Sequence, residues 1–157
     1  MPTASAHATV QDELKLISCL IDLMKQEQQF LVAADTDGLN SVTPLKNDLI
    51  EQMAALGEQR HQSLAAAGAA PSDAGMEAWL AGQSNPLYSE QWQQLLSKMR
   101  EAKELNRVNG MLITKQITQN AILINAMRTP ADAADTGFYG PSGQTTPVSS
   151  KRRLVVG

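Results

Sequence analysis

Between Leu87 and Arg128 the chain carries no proline, and its apolar residues keep a helical period throughout. At about 1.5 Å per residue this spacing predicts a rod of roughly 60 Å. Such a helix gains most of its stability by packing an apolar face on neighbours, so the rest of the fold has to supply them. At about 100° per residue, Trp92, Leu95, Met99, Ala102, Ile113, Ile117 and Ile124 line the side expected to face a bundle. Leu105, Val108, Met111, Leu112, Ile122 and Leu123 project almost oppositely, in two clusters separated by Lys115 and Gln119. A small bundle cannot easily bury both faces. Either further core helices or a second copy cover the second one, or it receives an amphipathic helix of a partner. Met111 suits a partner-binding surface because its thioether adapts to different shapes.

Two shorter helices are available upstream. Val10, Leu14, Ile17, Ile21, Met24 and Leu31 recur at three- and four-residue steps, with Thr9 as expected cap and Asp12 and Glu13 in the first turn, which predicts a helix over 9–34. The stretch "AADTDGLNS" ends it. Thr43-Pro44 reads as a cap followed by proline at the first helical position, opening a helix over 44–66 whose stripe is Leu45, Leu49, Met53, Leu56 and Leu64. Arg60 falls on that line and is expected to pack its stem while its charge reaches water. "AAAGAAPSDAG" breaks the pattern, a short helix over 76–81 lies between Gly75 and Gly82, and the long helix covers 87–128. With 43% hydrophobic but only 4% aromatic residues, the chain reads as all-α: an antiparallel up-and-down bundle of long helices with coiled-coil-like packing. Residues 1–128 form one expected domain, and the Gly-, Pro-, Ser- and Thr-rich residues 129–157 a flexible tail.

Chemistry is sparse. Thirteen Lys and Arg against sixteen Asp and Glu give a net charge of -3, which argues against a global attraction for nucleic acid. Cys19 is the lone cysteine, and no segment reads as a secretion signal or as a membrane span, so a cytoplasmic protein is expected. His7 falls in an expected frayed end, and His61 has no ligand-spaced partner, so no metal is expected. "DTDG" from Asp35 lacks the glycine and glutamate positions of a calcium loop and reads as a turn. No nucleophile motif or phosphate-cradling loop is present, so neither an enzyme nor a cofactor is expected. Asn106, Asn109 and Asn120 lie on or beside the first stripe, where a buried amide needs a partner. Gly110 in mid-helix predicts a close helix approach or a local bend. In the tail, Lys151, Arg152 and Arg153 are a weak basic signal, whereas the adjacent Phe138 and Tyr139 offer a compact docking anchor or fold back on the bundle.

"LNRVNGMLITKQITQN" followed by "FYGPSGQTT", with "KQEQQFL" and "LIEQMAALGEQRHQSL" upstream, resembles the flagellar export chaperone FlgN family. The resemblance runs from about residue 10 to the end; the Ala-, Gly- and Pro-rich insertion around residues 65–75 and the short element after it look variable in the family, and no function is carried onto them. It implies a cytoplasmic, non-enzymatic chaperone whose C-terminal half binds the amphipathic C-terminal region of the first and third hook-associated proteins. It also implies docking on the cytoplasmic domain of the type III export gate. On that resemblance Leu105, Val108, Met111, Leu112, Ile122 and Leu123 become the expected cargo contacts, and Tyr139, with Phe138 beside it, the expected export-gate contact. Unladen protein is expected to mask the helix over 105–124 by self-association or with the tail. A structural coiled-coil adaptor without a secreted cargo is the competing reading.

Overall fold

The computed structural model describes residues 5–128. Among them all regular structure is helical: α1 (Val10–Ala33), α2 (Thr36–Ala66), α3 (Asp73–Ala81) and α4 (Pro86–Met127). The chain divides into two compact units, Met1–Gly110 and Met111–Gly157.

In the first unit, charged pairs set the helix directions. Glu13 near the start of α1 meets Arg60 near the end of α2, and Glu27 near the end of α1 meets Lys46 early in α2, so the two run antiparallel. Arg60 also lies over the ring of Trp92, while Asn109 bonds the carbonyl of Met24, which aligns α4 with α1 and against α2. The core between them holds Val10, Ile17, Ile21 and Met24 of α1, Leu64 of α2, Met76 and Leu80 of α3, and Trp92, Leu95 and Ala102 of α4. Leu49 and Met53 pack on it in part, whereas Leu45, expected in the stripe of α2, is exposed.

The second helix starts at Thr36 rather than at 44. Ala34 takes the left-handed conformation (φ 54°) and closes α1; Asp35 then caps α2 by accepting a hydrogen bond from the Gly38 N–H at 2.9 Å. Gly38 is required there, since a Cβ would stand 2.5 Å from the Phe30 ring. Pro44 thus lies inside α2 instead of opening it. It is exposed, so the Asn40 carbonyl that loses its donor can turn to water. Thr43 donates its hydroxyl to the Leu39 carbonyl and caps nothing.

The short helix α3 likewise starts earlier than expected, at Asp73, because the Ser72 hydroxyl accepts from the Gly75 N–H. Gly75 is inside its first turn, and a side chain there would collide with the carbonyl of Ala70.

From Ser5 the described residues before α1 are ordered rather than frayed. Ser5–Thr9 form a turn that buries Ala6 and His7, and the His7 imidazole stacks on Tyr88 with ring centroids 3.9 Å apart. Thr9, already helical in backbone, gives its hydroxyl to Glu13 rather than to the helix end. His7 Nε2 has no partner, nor has Oε1 of Gln91. Burial holds the imidazole below its ordinary pKa, and Gln91 opposes this without cancelling it. The unfolded chain therefore takes up the proton first as pH falls. Stability is expected to drop as pH goes down through about 6.5 and to level off below the depressed folded value. Urea unfolding at about pH 7.5 and about pH 5.5 checks this against His7→Phe, which keeps the stack and should show a smaller acid loss than the wild type.

Candidate functional site

Two acids that look like ordinary surface residues occupy core positions. Glu13 lies three residues after Val10 and four before Ile17, and Glu27 bears the same relation to Met24 and Leu31, so each sits on the buried line of α1. Glu13 is 1% exposed and Arg60 4%. Arg60 donates from Nε to Oε1 of Glu13 at 3.0 Å and from Nη2 to Oε2 at 3.3 Å, with its guanidinium carbon 4.8 Å from the Trp92 ring centroid. The expectation that the Arg60 charge reaches water is therefore overturned: a carboxylate on the same core layer takes it instead. Glu27 accepts from Lys46 at 2.8 Å and from the Asn109 amide at 2.7 Å. Of the three asparagines expected near the first stripe, only Asn109 is buried, and Asn106 and Asn120 are exposed.

Asn109 is the last buried residue of α4. A Cβ added at Gly110 would meet nothing within 4 Å, so a close helix approach is not what glycine serves there. From Met111 onward, in the second unit, the helix bares its apolar side chains. Ile113, Ile117 and Ile124, expected against the bundle, are exposed; the buried layers of the first unit end at Asn109. Of the six residues expected to meet cargo, Met111 (59%), Ile122 (63%) and Leu123 (58%) are exposed and Leu112 is half-buried. Val108 is half-buried in the first unit, and Leu105 packs there on the core. Phe138 and Tyr139 lie outside the described residues, as do Lys151 to Arg153 and the rest of the expected tail.

The segment has a regularity that the two-face reading hides. Met111-Leu112-Ile113 and Ile122-Leu123-Ile124 are apolar triplets eleven residues apart. Eleven residues make about three turns, so members of the two triplets match direction in pairs, at levels roughly 16 Å apart. Consecutive residues point about 100° apart, so each triplet forms a partial collar spanning about 200° of the helix. Between the collars Ile117 is the large apolar residue among Thr, Lys, Gln and Asn. From Leu105 to Arg128 the charged residues are Arg107, Lys115 and Arg128, with no acid.

An open groove of about 420 Å³ runs along α1 and α2. Leu16, Ala55 and Leu56 are among its lining residues, with Asp12, Lys15, Gln52 and Gln59. Asp35 of "DTDG" acts as a helix cap, and Cys19 is exposed. Among the described residues no helix is long and apolar enough to cross a membrane.

Long helices around a small core in the first unit, and a helical stretch with exposed apolar side chains in the second, define an all-α protein. Comparison with known proteins makes this specific. The family described as FlgN protein matches residues 1–147, and the chain belongs to the FlgN family. A similar relative is the "Flagella synthesis protein FlgN" of Proteus mirabilis, 28% identical over 140 residues that cover 87% of this chain and 86% of the relative. No solved structure matches. The family is one of flagellar chaperones rather than enzymes.

Proposed function

We propose that the chain is a cytoplasmic export chaperone that holds the C-terminal helical region of the hook-associated proteins on residues 111–127 and presents it to the type III export gate. The observation that carries this reading is the exposure of Met111, Ile122 and Leu123 on a helix without acidic residues nearby. Large apolar side chains bared together mark a surface that a partner covers. Amphipathic cargo helices, which otherwise self-associate before export, have the matching face. Met111, Leu112, Ile122 and Leu123 are the proposed contacts, with half-buried Val108 beside them, and Leu105 is left to the packing of the first unit.

Calorimetric titration with the C-terminal region of the first hook-associated protein tests this. The wild type should bind saturably, and Leu112→Asp and Ile122→Asp, checked for folding, should each weaken binding at least tenfold by placing a charge against apolar surface. Absence of wild-type binding to this region and to that of the third hook-associated protein would remove the cargo assignment.

Tyr139, with Phe138 beside it, is the proposed contact to the cytoplasmic domain of the export gate. Tyr139→Ala should leave cargo affinity within about twofold and reduce gate docking at least tenfold, the behaviour of an aromatic anchor at a separate site. A pull-down on the gate domain run beside the cargo titration checks it, and equal losses in both assays would contradict separate sites.

A further inference from the structure

We infer that residues 111–127 are enclosed by at least two partner helices on different sides, and that these helices are apolar toward this segment and acidic at their flanks. The inference rests on the cargo reading above and concerns the form the cargo takes. Ile122, Leu123 and Ile124 are consecutive and 63%, 58% and 53% exposed. On a helix they point about 100° apart. One helix laid in a groove or along a seam contacts a stripe about that wide, so it reaches one or two of these directions and leaves the third in water. The first triplet repeats the arrangement, with Met111 59% and Ile113 42% exposed. An apolar band about 200° wide is twice what one helix covers, so partner helices on different sides are needed to take it out of water, while Thr114, Thr118 and Asn125 fall on the remaining polar side.

Charge narrows the occupant. Lys115 lies between the collars and Arg128 follows the second, in a stretch with no acid, although the whole chain carries a net charge of -3. A cationic waist favours carboxylates on helices that pass it and disfavours lysine-rich ones.

Three neighbouring variants, Ile122→Asp, Leu123→Asp and Ile124→Asp, separate the possibilities, with the Gln substitutions used wherever an Asp variant loses helicity by circular dichroism. Each is titrated, as full-length protein, with the C-terminal region of the first hook-associated protein. Enclosure predicts that all three weaken binding at least tenfold. If one direction is silent, within about twofold of wild type, a single helix suffices and the inference fails while the cargo reading stands. If one variant binds more tightly than wild type, a second copy or residues 129–157 cover that side, and the inference fails as well. No binding by the wild type would overturn the cargo reading and this inference together. Lys115→Glu should weaken binding severalfold, more at low salt than at high; a gain in affinity would contradict the acidic flank.

Discussion

Arg60→Met should destabilise the protein by about 3–5 kcal/mol, seen as a lower urea midpoint at an unchanged slope. The cause is less the lost attraction than what remains. Glu13 is 1% exposed, and without Arg60 its carboxylate keeps the Thr9 hydroxyl, at 2.7 Å, but has no counter-charge. The double variant Glu13→Leu/Arg60→Met removes both charges and should recover most of the loss, because a well-packed apolar pair commonly equals or exceeds a buried ion pair in stability. If the double variant is as unstable as the single one, the damage lies in packing against Trp92 rather than in an abandoned charge.

Trp92→Ala should cost a similar amount, about 3–5 kcal/mol, by emptying a large volume in the core. Trp92 is fully buried, packs in the core cluster and stands under the Arg60 guanidinium, and its indole N–H donates to Glu77 at 3.1 Å. It therefore ties α4 to both α2 and α3. Trp92→Phe keeps most of the ring and loses that hydrogen bond, so it should cost nearer 1 kcal/mol. The Trp92 and Arg60 losses should not add, because the two side chains touch; a double-mutant cycle in urea measures the coupling.

What could be read in advance follows from how local each cause is. The long α4, the stripe of α1 and the existence of a short α3 rest on periodicity and breakers, and the structure has them. The start of α2 was harder because two caps compete within a few residues. Asp35 wins, since an exposed proline can be carried inside a helix while Thr43 has no free N–H to cap. Glu13, Glu27 and Arg60 each stand on an apolar line, which was the available signal of burial; which carboxylate meets which cation depends on the register of α1 against α2, and no single-helix pattern contains that. The burial of His7 has no local signal, because the ring that stacks on it, Tyr88, is distant in sequence. The apolar excess of the last helix was visible, but dividing it into two faces assigned Ile113, Ile117 and Ile124 to a bundle that does not bury them.

The spacing of the two apolar triplets also bears on winding. A seam repeating every seven residues averages about 3.5 residues per turn and draws its partners into a left-handed superhelix. Eleven residues over three turns average about 3.67, slightly above the helix's own roughly 3.6 residues per turn, so the drift is reversed in hand, to the right, and is smaller per residue. A chain following both triplets along Met111–Met127 would therefore lean to the right, by about 20° over the roughly 16 Å between them, opposite in hand to the winding of a heptad seam.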